Sequence, residues 1–120
     1  MIMSKIIIQR VYEANPPYCS PTYLIDRLWP RGISKTRLEG VIWSKEVAPS
    51  NELRIWYHAH LDEWVQFKEK YLQELEKSSS WSPLYSQLTL GHTITLLYGS
   101  KNEQQNHAII LRDFLLSKFR

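Results

Sequence analysis

The segment Thr-Ile-Thr-Leu-Leu-Tyr at positions 93–98 constrains the fold more than any other stretch of the chain. It begins with β-branched residues and carries no charge, so it predicts a β-strand. Because it does not alternate between apolar and charged residues, we expect it to be buried on both faces. Strands of this kind belong mainly to parallel sheets that are covered on each side. The segment therefore predicts an α/β protein.

The order of the other predicted elements supports the same fold. Three further strands are predicted, at positions 5–12, 22–26 and 41–47. Helices are predicted after Ser34 as far as Gly40, after Ser50, and over 61–77, 81–90 and 102–119. This order indicates a three-layer α/β fold with a mainly parallel sheet of about four strands and helices on both faces. We expect the 120 residues to form one domain over positions 1–120.

The composition excludes several classes of protein. The chain is 43% hydrophobic and 22% charged, as ordinary globular proteins are. No apolar run approaches the roughly 20 residues of a membrane span, and the apolar stretch near the start is too short for a signal peptide. The lone Cys19 cannot form an internal disulfide, so we expect a cytoplasmic protein without a membrane partner. A net charge of +3 suits an anionic ligand but is low for a dedicated nucleic-acid binder.

Polar and charged residues follow the second predicted strand in an unusual density. The apolar run at 23–25 ends in Asp26 and Arg27, and Trp29 and a Pro-Arg-Gly turn come directly after it. Ser34 and Lys35 then complete the segment. In open α/β sheets, ligands bind in the crevice at the carboxyl ends of the strands. The segment therefore predicts a ligand site rather than a simple connection.

Several blocks of residues occur in the order and spacing of one known group of proteins. They are Asp-Arg-Leu-Trp-Pro-Arg-Gly at 26–32, Ala-Pro-Ser at 48–50 with Glu-Leu-Arg at 52–54, Thr-Leu-Leu-Tyr at 95–98, and Asn-His-Ala at 106–108. On these blocks, the chain resembles the YeaO-like family of small bacterial proteins, each a single domain of unknown function. The resemblance spans nearly the whole chain. It implies a compact cytosolic α/β domain without an established reaction, and it assigns no catalytic residue.

A second part of the predicted site comes from the other end of the chain. If the sheet is parallel, the strand that ends at Tyr98 shares an edge with the strand that leads to Asp26. We expect His107 in the second turn of the last helix, where it and Asp26 are candidates for an acid/base catalytic pair. Candidate ligand-binding residues are Arg27, Trp29, Arg31, Ser34, Lys35, Ser100, Lys101 and Asn106. Arginines that make paired hydrogen bonds, together with the amides of a helix start, suit phosphate or carboxylate.

Purely structural roles explain the same residues as well. Asp26 can form a salt bridge with Arg27, Arg31 or Arg54 that fixes the loop without a ligand, and His107 can cap or pack beneath the sheet edge. Trp29 is either a platform on which a ligand stacks or a buried anchor of the loop.

Two other motifs do not support a site. His58 and His60 lie two residues apart, so on a helix they point to different faces, and we predict no metal site and no cofactor. A phosphatase-type Cys19 needs an arginine six residues later, but that position is Ile25.

Three functions remain open at this point. The leading hypothesis is an anion-binding crevice for a phosphate-bearing small molecule or nucleotide. If the protein is an enzyme, Arg27 and Arg31 bind charge while Asp26 or His107 moves protons in a hydrolysis or transfer reaction at a phosphoryl or glycosyl centre. The first alternative is a nucleic-acid-binding module that uses Arg10, Arg27, Arg31, Lys35, Arg37 and Lys101. The second is a non-enzymatic interaction domain in which exposed Trp and Tyr residues form a homo-oligomer or partner surface. The sequence does not determine the oligomeric state.

Overall fold

The fold is described from a computed structural model, which describes residues 5–119. Its four strands are β1 (Ile6–Arg10), β2 (Thr22–Leu24), β3 (Ile42–Trp43) and β4 (Ile94–Tyr98). They form one sheet in the order β1-β4-β2-β3, and every neighbouring pair is parallel. The four α-helices of this part of the chain are α1 (Asn51–His58), α2 (Trp64–Lys77), α3 (Ser82–Thr89) and α4 (His107–Ser117). The predicted α/β fold with a parallel sheet of four strands is confirmed.

One face of the sheet packs against the α-helices. Ile94, Leu96 and Tyr98 alternate along β4, and all three are buried in the larger core cluster. The helices contribute their buried apolar positions to the same cluster, among them Phe67 and Tyr71 of α2. Every second residue of β4 therefore packs against the apolar stripes of the helices on this face. None of the helices described here is long and apolar enough to cross a membrane.

The opposite face of the sheet is covered by loops and short 3₁₀ helices. Leu24 and Leu97 point to this side, where they pack with Val11, Ile33 and Leu38 in a second core cluster. The 3₁₀ helices of this layer are Val11–Glu13 and Thr36–Leu38. β4 is thus buried on both faces, as its sequence predicts, and the fold has three layers. The layer on this face is made of 3₁₀ turns rather than α-helices.

The third strand and the helix before it are shorter than predicted. β3 pairs only with β2, and the amide of Ser44 makes the next main-chain hydrogen bond, to the carbonyl oxygen of Leu24 at 2.8 Å. β2 ends there, so the chain loses its partner and forms a 3₁₀ helix at Lys45–Val47 instead of extending the strand to position 47. The helix predicted from Ser34 to Gly40 is a single 3₁₀ turn, in which Ser34 Oγ accepts a hydrogen bond from the Arg37 amide.

The last helix begins later than expected, because its N-cap is Asn106 rather than Asn102. The side chain of Asn106 accepts a hydrogen bond from the Ile109 amide at 3.1 Å, so Asn106 is the N-cap. Asn102 instead accepts hydrogen bonds from the amides of Gln104 and Gln105 and closes a turn before the helix. His107 is therefore the first residue of α4, not a residue of its second turn.

Candidate functional site

The register of β2 on β4 places the residues that follow the two strands next to each other. Leu24 pairs with Leu97, and the Ile25 amide donates to the Leu97 carbonyl oxygen at 3.0 Å. The next residue, Asp26, meets Gly99, and a β-carbon on Gly99 would stand 2.6 Å from Asp26 Oδ2. The ends of the two strands thus lie at one edge of the sheet, and the carboxylate lies at their junction.

His107 completes this junction from the start of α4. Its Nε2 lies 2.9 Å from the carbonyl oxygen of Ile25 and 3.3 Å from Asp26 Oδ1. Because a carbonyl oxygen only accepts hydrogen bonds, Nε2 carries a hydrogen and donates it to Ile25. Asp26 Oδ1 is buried and accepts no hydrogen bond from any described residue. The side chain of Asp26 is 20% exposed and that of His107 is 15% exposed, so the pair borders a cleft rather than lying in the core.

Arg27 connects the loop after β2 to the start of α1. Its Nε donates to the carbonyl oxygen of Pro49 at 2.9 Å, and its Nη2 donates to that of Ala48 at 3.3 Å. The buried hydroxyl of Tyr71, on α2, donates to the carbonyl oxygen of Val47, just before these two residues. A guanidinium has five N–H groups, so Arg27 keeps others for a ligand after these two bonds. These contacts fix the position of α1 relative to Asp26.

Arg54 extends from α1 toward the same place. Its Nη2 donates to Asn51 Oδ1 at 2.7 Å, but its Nε is buried without a hydrogen-bond partner among the described residues. None of Arg27, Arg31 and Arg54 forms an ion pair with Asp26 within residues 5–119, where the charged contact of Asp26 is with His107. The salt bridge that would fix the loop without a ligand is therefore not formed.

These residues border a cleft with a volume of about 700 Å³. Arg27, Arg31, Arg54 and Lys101 line it together with His58 and His107, whereas Asp26 is the one carboxylate among its described lining residues. At neutral pH the cleft therefore has an excess of positive charge. Its polar lining also includes Ser100, Asn102, Gln105 and Asn106.

One side of the cleft is apolar. Leu28 and Leu61 line it and are 58% and 64% exposed. Tyr57, also in the lining, stacks on the buried Phe67 with ring centroids 4.1 Å apart. The cleft thus combines cationic groups with an apolar wall that includes an aromatic ring.

The predicted site residues take different positions around this cleft. Asp26, Arg27, Trp29, Arg31, Ser100, Lys101, Asn106 and His107 line it. Ser34 and Lys35 are described by the structure but lie outside the lining, at the start of the 3₁₀ turn. The amide of Asn106 is already used, because its Oδ1 caps α4 and its Nδ2 donates to the carbonyl oxygen of Asn102.

Trp29 fixes the loop and borders the cleft at the same time. Its Nε1 donates to the carbonyl oxygen of Ile33 at 2.7 Å, which closes the loop on itself. Its ring meets the edge of Trp43 with centroids 5.4 Å apart and packs on the second core cluster. These contacts agree with the anchor role of Trp29.

Sequence reasoning missed Arg54, Tyr57 and His58 as members of the site. All three belong to α1 and line the cleft. The available signal was the Glu-Leu-Arg block at 52–54, which carries the family resemblance and includes the arginine. His58, the last residue of α1, borders the cleft, whereas His60 lies beyond the helix and stacks on Trp56 with ring centroids 4.6 Å apart. Within residues 5–119, no three His, Cys, Asp or Glu side chains are grouped so as to hold a metal ion.

Two of the basic residues assigned to a nucleic-acid surface make internal contacts. Arg10 Nε donates to the carbonyl oxygen of Ser100 at 2.9 Å. Arg37 donates from Nε to Ala14 and from Nη2 to Tyr12, both to main-chain oxygens. These bonds occupy part of each guanidinium group, which leaves fewer of their N–H groups for phosphates.

Comparison with known proteins places the chain in a family. The family model described as "Inactive DUF488-N3 subclade" matches residues 5–120, and the chain belongs to this family. The chain is 40% identical to the uncharacterised protein YeaO of Escherichia coli strain K12 over 109 residues, which cover 91% of this chain and 95% of YeaO. It is 35% identical to an uncharacterised protein of Mycobacterium tuberculosis strain H37Rv over 112 residues, covering 93% and 94% of the two chains. The resemblance to the YeaO-like family is therefore confirmed. No solved structure matches the chain.

Proposed function

We propose that this protein binds a small molecule that carries a phosphate group and a flat apolar part, such as a nucleotide, in the cleft between the strand ends and α1. The observation that carries the proposal is the state of Arg54, whose Nε is buried without a hydrogen-bond partner among the described residues. A buried N–H group without an acceptor is unfavourable, and a phosphate oxygen is a strong acceptor for arginine. Arg54 lines the cleft, so a small rotation of its side chain would bring this N–H group to a bound phosphate and satisfy it.

The charges around Arg54 support an anion over other ligands. Arg27, Arg31 and Lys101 line the same cleft, and Asp26 is the one carboxylate among its described lining residues. Arginine presents a planar fork of N–H groups that matches phosphate geometry, and attraction is stronger in a partly enclosed site than in open water. A cation would be repelled by this lining.

The apolar wall supports a ligand with a ring. The two exposed leucines, Leu28 and Leu61, and the ring of Tyr57 border the cationic part of the cleft. Ligand sites are commonly apolar with a few polar groups that fix orientation. Inorganic phosphate alone would leave this wall uncovered, whereas a nucleotide base or a similar ring would cover it.

Two observations favour binding without turnover over a hydrolase or transferase. The Nε2 hydrogen of His107 is donated to the carbonyl oxygen of Ile25, so this nitrogen serves the fold and is less available for proton transfer. The description of the family calls the subclade inactive. We therefore propose Asp26 and His107 as ligand-positioning residues, and release of product from a bound phosphate ester would contradict this assignment.

Calorimetric titration with adenosine monophosphate and with inorganic phosphate tests the proposal. Arg54→Gln should weaken binding of both about tenfold or more, because a charge-assisted hydrogen bond is lost. Arg112→Gln is the matched control, since Arg112 lies on α4 outside the cleft and pairs with Asp113. Equal affinities in the wild type and Arg54→Gln would overturn the proposal. So would binding of a single-stranded oligonucleotide with steep salt dependence when the mononucleotide does not bind.

A further inference from the structure

We infer that the ligand of this cleft is a phosphorylated sugar, free or as part of a nucleotide, and that Asp26 accepts hydrogen bonds from its hydroxyl groups. This inference rests on the proposed function and adds the chemical class of the ligand. The inference explains the carboxylate of Asp26, because a site that binds only an anion has no use for a negative charge.

One carboxylate oxygen of Asp26 receives no hydrogen bond from the described residues. Oδ1 is buried and accepts no hydrogen bond from the described residues, although it lies 3.3 Å from His107 Nε2. The hydrogen on that nitrogen is directed at Ile25 instead. Buried polar atoms in native proteins almost always have a partner, and an ionised carboxylate offers about four acceptor positions. Asp26 lines the cleft and its side chain is 20% exposed, so a small rotation of the carboxylate brings this acceptor within reach of a ligand donor.

The surrounding charge determines what kind of donor fits. An ammonium donor would bring positive charge next to Arg27, Arg31, Arg54 and Lys101. A neutral hydroxyl donates to Asp26 without that repulsion. A second carboxylate on the ligand would be repelled by Asp26 itself. The combination of one carboxylate with several cations thus fits a ligand that carries neutral hydroxyls close to its phosphate, as a sugar phosphate does.

The position of Asp26 is built into the main chain. Oδ2 fills the space beside Gly99, where any larger residue would place a β-carbon at 2.6 Å. A glycine at this point allows the carboxylate to lie against the end of β4 instead of turning toward solvent. The carboxylate is therefore held between β4 and α4, at the same edge as the basic residues.

The test compares adenosine monophosphate with its 2′,3′-dideoxy analogue, which keeps the base, its amino group and the phosphate. By calorimetry, the wild type should bind adenosine monophosphate about tenfold more tightly, as expected for hydrogen bonds to a charged acceptor. In Asp26→Asn this preference should fall to less than about threefold, because the charged acceptor is lost. Affinity for inorganic phosphate should rise, since a negative charge next to the anion site is removed. Asp113→Asn, an exposed carboxylate on α4, is the matched control.

The outcomes separate this inference from the proposed function. If phosphate binds and the two nucleotides bind equally well to the wild type, the sugar inference is wrong while the anion site stands. If no phosphate compound binds, both fail. Ribose 5-phosphate identifies the source of the sugar: binding as tight as that of adenosine monophosphate supports a free sugar phosphate, and weaker binding supports a nucleotide.

Discussion

Asp26 and Gly99 pack so closely that the carboxylate of one occupies the space of a side chain on the other: a β-carbon on Gly99 would lie 2.6 Å from Asp26 Oδ2. The contact joins the ends of the two central strands, β2 and β4, which are neighbours in the sheet. It also brings the carboxylate next to His107 at the start of α4. The geometry of the proposed site therefore depends on a glycine that makes no polar contact of its own with the carboxylate.

Gly99→Ala should move the carboxylate without removing its charge. The atom that the new methyl group meets is the end of a side chain, so Asp26 can rotate away and the fold should survive. We expect the free energy of unfolding to change by about 1 kcal/mol or less, while the preference for adenosine monophosphate over its dideoxy analogue falls. Urea unfolding and calorimetry measure the two effects. Loss of folding, or an unchanged preference, would contradict this role of Gly99.

Asn106→Ala should destabilise the protein, because Asn106 is the buried N-cap of α4. Its side chain accepts a hydrogen bond from the Ile109 amide and donates one to the Asn102 carbonyl oxygen. Loss of such a cap costs about 1 to 2 kcal/mol of unfolding free energy. Asn102→Ala is the control, since that side chain closes an exposed turn and should cost about 0.5 kcal/mol or less. Equal losses in the two variants would mean that α4 is not capped as described.

Trp29→Phe separates the two roles suggested for this residue. The substitution keeps an aromatic ring but removes the hydrogen bond from Nε1 to the Ile33 carbonyl oxygen. If Trp29 anchors the loop, the free energy of unfolding should fall by about 1 kcal/mol, the usual contribution of such a bond. Nucleotide affinity should then change by less than about threefold. A change of 1.4 kcal/mol in binding free energy would alter the affinity about tenfold. A large loss of affinity at unchanged stability would instead assign Trp29 a stacking role.

The protein should lose stability at alkaline pH through its buried tyrosines. Burial raises the pKa of Tyr71, as it does for Tyr23 and Tyr57. In the unfolded chain these phenols ionise near pH 10, so above that pH the unfolded state binds fewer protons than the folded state. The stabilising effect is therefore fully present below about pH 10 and is lost as the pH rises further. The slope is at most about 1.4 kcal/mol per pH unit for each tyrosine.

Tyr71→Phe provides the test of this pH dependence. Urea unfolding between about pH 8 and pH 11 should show a smaller decrease in unfolding free energy for the variant than for the wild type. At neutral pH the variant should be about 1 to 2 kcal/mol less stable, because the carbonyl oxygen of Val47 loses the Tyr71 hydroxyl. Parallel pH profiles of the two proteins would contradict the account.

The sheet could be predicted because its signals are local. The apolar segment at 93–98 indicates a strand buried on both faces, and β4 does pack on two core clusters. A parallel arrangement then brings Asp26 and the end of β4 to one edge, whatever the detailed contacts. The length of β3 could not be predicted in this way, because it depends on where its partner β2 ends. No pattern in residues 41–47 contains that information.

The site could be predicted only in part, for a related reason. Asn102 and Asn106 both suit an N-cap, and tertiary packing decides between them, since Asn106 is buried and Asn102 is exposed. That choice sets the position of His107. Arg54 belongs to the site only because Arg27 binds the carbonyl oxygens of residues 48 and 49 and so places α1 beside the strand ends. The family block at 52–54 points to Arg54, but no local pattern indicates the long-range contact that places it in the site.

The most direct test of the central claim is the nuclear magnetic resonance signal of the Arg54 Nε–H group during titration with adenosine monophosphate. This N–H is buried without a partner among the described residues, so a phosphate that binds there must change its chemical environment. We predict a saturable shift of this resonance at the same ligand concentrations that give heat in calorimetry. An Arg54 signal that stays unchanged while the nucleotide binds elsewhere, or no binding at all, would contradict the proposed site.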